Sequence, residues 1–218
     1  MVLLCGVEEA GRGPVIGPLV MCGVLIKEED EDKLRSIGAK DSKLLTPRTR
    51  ELLFDQIKGM VKDYKIIITS PAEIDKVLLS EDSNLNWLEA DISARIINAL
   101  KPDKAILDCP SPNIKAYTAY VKKKLDNKKV VIIAEHKADV NYPVVSAASI
   151  LAKVTRDREI EKIKKKIGMN FGSGYPSDEV TKGFLKKHYK DFPEIFRKTW
   201  SSYKRVAGVK NQKKLGEF

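Results

Sequence analysis

Histidine is scarce in this chain of 218 residues, present only as His136 and His188, so acid–base chemistry run by imidazole has little material. Cysteine is almost as sparse: Cys5, Cys22 and Cys109 form an odd set without CxxC spacing, which argues against both a disulfide framework and a structural zinc site. No apolar run approaches the roughly 20 residues a membrane span needs, and the opening MVLLCGVEE lacks the charged start and long apolar middle of a signal peptide. A cytoplasmic protein is expected. Internal repeats and low-complexity stretches are also missing. Gly11-Arg12-Gly13 is not followed by Gly-Lys-Ser/Thr, and Pro14 and Pro18 lead into a strand pattern where a dinucleotide loop requires a helix.

What is present is the balance of a folded globular protein, with 43% hydrophobic and 32% charged residues. The length suits one main domain with a small appendage. Forty Lys and Arg against thirty Asp and Glu give a net charge of +10, a field that favours polyanions such as nucleic acid or anionic lipid, although a merely basic soluble protein has the same balance.

Val2 to Val7 and Leu19 to Ile26 read as strands joined by the turn-rich EAGRGPVIGP. Further strands are expected at Tyr64 to Thr69, Lys104 to Asp108 and Val130 to Ala134. Helical spacing covers Glu28 to Ile37, Thr46 to Lys62, Pro71 to Leu79, Asn84 to Leu100, Asn113 to Leu125 and the long Pro143 to Ile167. After the loop Gly168 to Pro176, Ser177 to Tyr189 and Asp191 to Arg197 read as short helices before a basic tail. Two strands joined by a short turn, then strands alternating with helices, imply an α/β fold with a mixed sheet flanked by helices.

Glu8 and Glu9 sit where the first strand ends, Asp108 ends another, and Asp139 follows the strand after that. Such acids are either solvated or converge on one edge of the sheet, where a cation must neutralise them. Oxygen ligands without His or Cys suit Mg²⁺ or Mn²⁺ and point to phosphoryl chemistry, in which two ions serve the attacking water and the leaving oxygen. The glycines at 11 and 13 let backbone approach a ligand while Arg12 meets a phosphate, or they simply make a tight turn. His136 reads as a packing or supporting group, His188 as solvated, and Trp87 and Trp200 as core or interdomain anchors.

Taken in order, GVEEAGRGPVIGP, AKDSKLL, AILDCP, EHKADVNYPVVSAASILAKVTRD and GSGYPSD resemble the motif series of the ribonuclease HII family over nearly the whole chain. The resemblance implies a ribonuclease H-like catalytic domain over residues 1–176, a small helical C-terminal region over 177–211 and a tail over 212–218. It implies an endonuclease that cuts the RNA strand of RNA–DNA hybrids, or a ribonucleotide embedded in DNA, leaving 3′-hydroxyl and 5′-phosphate ends, and acting as a monomer. Glu8, Glu9, Asp108 and Asp139 become the metal-binding catalytic set. Gly11, Arg12 and Gly13 lie at the scissile nucleotides, Tyr175 lies beside the ribose at the junction, and Lys43, Arg50, Lys153 and Arg156 contact the backbone.

One departure stands out: the family motif begins with Asp where this chain has Glu8, whose carboxylate reaches one methylene further. A non-catalytic hybrid-binding protein is the alternative that this change raises. Ribonuclease HIII is the nearest enzymatic rival, set aside because that type carries a further N-terminal domain, and an integrase-like DNA nuclease is a third reading. At the end of the chain, Gln212, Leu215 and Phe218 resemble the sliding-clamp binding box, with Leu215 and Phe218 on one face of a single turn.

Overall fold

The computed structural model describes residues 1–38 and 46–208; Lys43 and the tail residues Gln212, Leu215 and Phe218 lie outside them. Five strands, β1 (Leu3–Ala10), β2 (Leu19–Lys27), β3 (Asp63–Thr69), β4 (Lys104–Asp108) and β5 (Val131–Glu135), form one sheet in the order β3-β2-β1-β4-β5. β1 pairs antiparallel with β2 and parallel with β4, while β2–β3 is antiparallel and β4–β5 parallel. The sheet is therefore mixed, as the short β1–β2 connection implies.

The helices are α1 (Glu31–Ser36), α2 (Pro47–Met60), α3 (Pro71–Leu78), α4 (Leu85–Leu100), α5 (Ile114–Lys124), α6 (Ala138–Asn141), α7 (Pro143–Ile167), α8 (Glu179–His188) and α9 (Ser201–Val206). Their starts follow the local chemistry. Thr46 accepts from the Thr49 amide ahead of α2, and Ser70 with Glu73 forms a reciprocal capping box on α3.

Alternation along β1 divides the core between the two faces of the sheet. Leu4, Val20, Cys22 and Val24 pack with Phe54 and Ile57 of α2 and with Val144, Ala147 and Leu151 of α7. Cys5, Val7 and Met21 pack on the other side with Ile92 and Ile96 of α4 and with Tyr117 of α5. A third cluster joins Val15 and Ile16 to Ile160 of α7, Phe171, Phe184 of α8, and Phe196.

Two local expectations need correction, and one short helix was not expected. Glu28 to Ile37 is a 3₁₀ turn at Glu28–Asp30 followed by α1, not one helix. Asp191 to Arg197 is not helical: Pro193 interrupts it, and the segment instead pairs with the β1–β2 connection through Gly17 N–H to Ile195 O and Arg197 N–H to Val15 O, both 2.9 Å. The short α6 has no periodic signal in the sequence, yet it carries Asp139.

Candidate active site

β1 and β4 run parallel with Val7 beside Leu107, so Glu8 and Asp108 follow at the carboxyl ends of neighbouring strands, the edge where open α/β sheets bind ligands. One carboxylate oxygen each from Glu8, Glu9 and Asp108 lies within 4.8 Å of the others. Asp139 reaches the same edge on α6, whose start is tied to β4 by a 2.9 Å hydrogen bond from the Ala138 amide to Asp108 Oδ1. His136, in the turn before it, bonds through Nδ1 to the Cys109 carbonyl at 2.8 Å, a supporting role as expected.

Burial drives the Glu8 carboxyl well above the usual carboxylate range, and the charges of Glu9, Asp108 and Asp139 push it further. Glu9 is raised too, chiefly by burial, while hydrogen bonding with Glu8 and the Arg12 charge oppose the rise. Glu8 Oε2 is buried without a hydrogen-bond partner among the described residues. Crowded acids with an orphaned oxygen and no nitrogen or sulfur donor fit a hard divalent cation, which would remove both the repulsion and the unmet acceptor.

Glu8, Glu9 and Asp108 share one cleft of about 270 Å³ with Gly11, Arg12, Gly13, Ser149, Lys153 and Tyr175. Gly11 sits at φ +87°, and a Cβ there would stand 2.7 Å from the Pro18 carbonyl oxygen, so this turn requires glycine. The half-buried Arg12 side chain pairs with Glu89 and donates to Asn86 Oδ1 at 2.7 Å, both on α4. Glu89 is fully buried; burial and the neighbouring Glu9 push its carboxyl up to about 8, against the pull of Arg12. Arg12 is thus a strut beneath the glycine loop.

The expected basic set is partly committed within the protein. Lys153 donates to Asp157 Oδ2 at 2.6 Å, and Arg50 stands 3.8 Å from the same carboxylate. Arg156 is only 2% exposed; it donates to the Ser173 carbonyl at 2.8 Å, and its guanidinium carbon lies 5.0 Å from the Tyr175 ring centroid. Lys153 lines the cleft, whereas Arg156 supports Tyr175.

Sequence reasoning did not single out Asn86, Glu89 or Arg197. Glu89 had a readable signal, because it falls on the helical stripe of Ile92 and Ile96, where a lone acid must have a partner. Arg197 had none. Trp87 stacks on Tyr120 at 4.6 Å and Trp200 anchors the C-terminal region, in line with their expected packing roles.

The model of the family described as Ribonuclease HII matches residues 5–203. Ribonuclease HII of Pyrococcus furiosus is 48% identical, covering 98% of this chain and 96% of its own. The solved ribonuclease H2 of Pyrococcus horikoshii OT3 superposes with a TM-score of 0.86 at 45% identity, covering 94% of this chain and 97% of that one. A structure described as the PCNA:RNase HII complex of Archaeoglobus fulgidus matches with a TM-score of 0.83 at 39% identity, covering 91% and 95% of the two chains. A mixed sheet with its acids gathered at one edge, matched end to end in sequence and in fold, makes this chain a member of the ribonuclease HII family, endonucleases that cleave the RNA of RNA–DNA hybrids.

Proposed function

We propose that Glu8, Glu9, Asp108 and Asp139 hold the divalent metal, Mg²⁺ or Mn²⁺, and that this one cleft cuts both RNA–DNA hybrids and single ribonucleotides in duplex DNA. The observation that carries the reading is the grouping of Glu8, Glu9 and Asp108 oxygens within 4.8 Å, in the same cleft as the glycine loop and Tyr175. A divalent ion held by Glu8, Glu9, Asp108 and Asp139 would supply activation of an attacking water and charge stabilisation at the leaving 3′-oxygen, the chemistry that leaves 3′-hydroxyl and 5′-phosphate ends.

The protein's own groups do the rest. The backbone of Gly11, Arg12 and Gly13 approaches the ribonucleotide closely, since neither glycine carries a side chain of its own to hold a ligand off. Tyr175, held by Arg156, presents its ring to the sugar at an RNA–DNA junction, where stacking on the sugar helps to tell RNA from DNA. Lys153, with Arg50 and Lys43, holds the phosphate backbone and sets register without reading sequence. Work in the cytoplasm as a monomer completes the reading; no helix among the described residues is long and apolar enough to cross a membrane.

The deciding experiment incubates the protein with a duplex carrying one ribonucleotide, with a full hybrid and with all-DNA duplex, in Mg²⁺, Mn²⁺ or chelator. Metal-dependent cuts at the ribonucleotide and in the hybrid are expected. Binding without cleavage at any metal concentration would instead make Glu8 the mark of a non-catalytic hybrid binder, and cleavage of all-DNA duplex would favour the integrase-like reading.

The tail Gln212, Leu215 and Phe218 is proposed to bind a sliding clamp, with the two apolar side chains in a pocket and Gln212 bonded beside it. The relative from Archaeoglobus fulgidus, described in complex with PCNA, supports this. Tethering raises the enzyme's effective concentration on DNA without altering its chemistry. Calorimetry of the whole chain and of a chain ending at Gly208 against the clamp of the source organism is the check; equal binding, or none by either, sinks the idea.

A further inference from the structure

The glycine loop is held from behind by the C-terminal region. Arg197 is fully buried and directs its hydrogen bonds to main-chain carbonyls: Nη2 to Gly11 at 2.6 Å, Nη1 to Arg12 at 3.0 Å and Nε to Gly17 at 3.0 Å. Trp200 takes the last carbonyl of the tripeptide, donating from Nε1 to Gly13 at 3.1 Å, and its ring lies 4.8 Å from the Arg197 guanidinium carbon. The chain between these two residues is pinned in turn, because Asp75 of α3 accepts from the amides of Lys198 at 2.7 Å and Thr199 at 3.0 Å.

A trans peptide sets each carbonyl opposite the N–H of the following residue. With the Gly11 and Arg12 carbonyls turned toward Arg197, the Arg12 and Gly13 amides face the other way, and neither donates to an acceptor among the described residues. Gly11, Arg12 and Gly13 line the cleft, while Arg197 and Trp200 do not. A guanidinium is a planar fork of fixed donors, so it sets the angle of two successive peptide planes in a way that the single point charge of a lysine cannot.

We propose that Arg197 and Trp200 are positioning residues: by occupying the carbonyls of Gly11, Arg12 and Gly13, they aim the Arg12 and Gly13 amides at an oxygen of the bound ribonucleotide. The inference rests on the reading of the cleft as a ribonucleotide site. It makes the C-terminal region part of the cleavage apparatus, with no contact to substrate required of Arg197 itself.

The test uses the full chain with Arg197→Lys and, separately, Trp200→Phe. For each, kcat and KM are measured on a duplex carrying one ribonucleotide, and the Arg12 and Gly13 amide resonances are followed with and without that duplex. A misaimed loop is expected to lower kcat about a hundredfold in Arg197→Lys and about fivefold in Trp200→Phe, with KM held within about threefold and both amides shifted. A folded Arg197→Lys with kcat within about twofold of the parent, or with its loss carried by KM, overturns the proposal. Should that variant not fold, Trp200→Phe decides by the same readings, and an unchanged kcat overturns it. If the parent protein cuts nothing, the nuclease reading falls separately. The amides then decide: duplex that moves Arg12 and Gly13 in the parent but not in the variants supports the positioning role, and equal movement in all three removes it.

Discussion

Gly6 of β1 meets Val144 of α7 backbone to backbone: a Cβ on Gly6 would stand 2.5 Å from both the carbonyl carbon and the oxygen of Val144. That approach lays α7 across the strand carrying Glu8 and Glu9 and brings Ser149 and Lys153 to the cleft. Neither partner is a flexible side-chain end, so Gly6→Ala must push the helix off the sheet. An overpacking cost of about 1–3 kcal/mol is expected. Calorimetry should find Tm lower by roughly 2–12 °C. Activity at 25 °C should fall more than the small unfolded fraction explains, because the helix moves relative to the carboxylates.

Exchanging any one of Glu9, Asp108 or Asp139 for its amide is expected to lower kcat by on the order of a thousandfold, since on the proposed assignment each contributes charge to the metal site. Stability should move the other way for Glu9→Gln. Its folded carboxyl titrates above the ordinary value of 4.5, so ionising it opposes folding, and the penalty grows as pH rises from about 4.5 through the folded value. In chelator at pH 8, Glu9→Gln should therefore melt at or above the parent temperature. Glu8→Asp restores the family's shorter arm and should keep or raise activity; a large loss would mean that the site is built around Glu.

Tyr175→Ala should weaken the preference for an RNA–DNA junction more than it weakens binding, because in the proposed reading the ring packs on the sugar while basic groups hold the backbone. Cleavage and affinity measured side by side on junction, hybrid and single-ribonucleotide duplexes decide this, and an equal loss on all three would count against junction reading. Affinity of the parent should fall steeply between 50 and 200 mM salt through counterion release.

Asp178 sets the Tyr175 loop as well as the start of α8. Its Oδ2 accepts from the Ser173 amide and hydroxyl, both at 2.7 Å, and those bonds hold the carboxyl down at about 2. A depressed folded value means stability that is present above the unfolded value of about 4 and lost as pH falls toward about 2. Parent and Asp178→Asn chains should therefore converge in Tm as pH drops through that window, the parent being the more stable at pH 5. The difference should be small, because the group is half-exposed and screened. At neutral pH, Asp178→Asn should slow cleavage several-fold without touching any metal ligand; parallel Tm–pH slopes would refute the assignment.

Arg197 marks where reading the sequence ends, because nothing in its local pattern signals its distant partners. All five strands and the main helices α2, α3, α4, α5, α7 and α8 are legible in order, because period-two and 3.6-residue apolar patterns survive wherever a sheet faces helices on both sides. Asp191 to Arg197 failed because its pairing partner, the β1–β2 connection, lies about 180 residues away and outweighs local propensity. Likewise α6 is one turn long, too short for any period to register.

The sequence by itself determined the chemistry on offer: oxygen ligands without imidazole or thiolate, a basic surface, a glycine loop and an ordered motif series that marks the family. The tertiary structure decided who serves whom. It paired Arg12 with the buried Glu89, spent Arg156 on Tyr175, and set Arg197 behind the glycine loop. The physical reason is that residue types fix which bonds a side chain can make, while burial and the distance across the fold fix which of those bonds it does make.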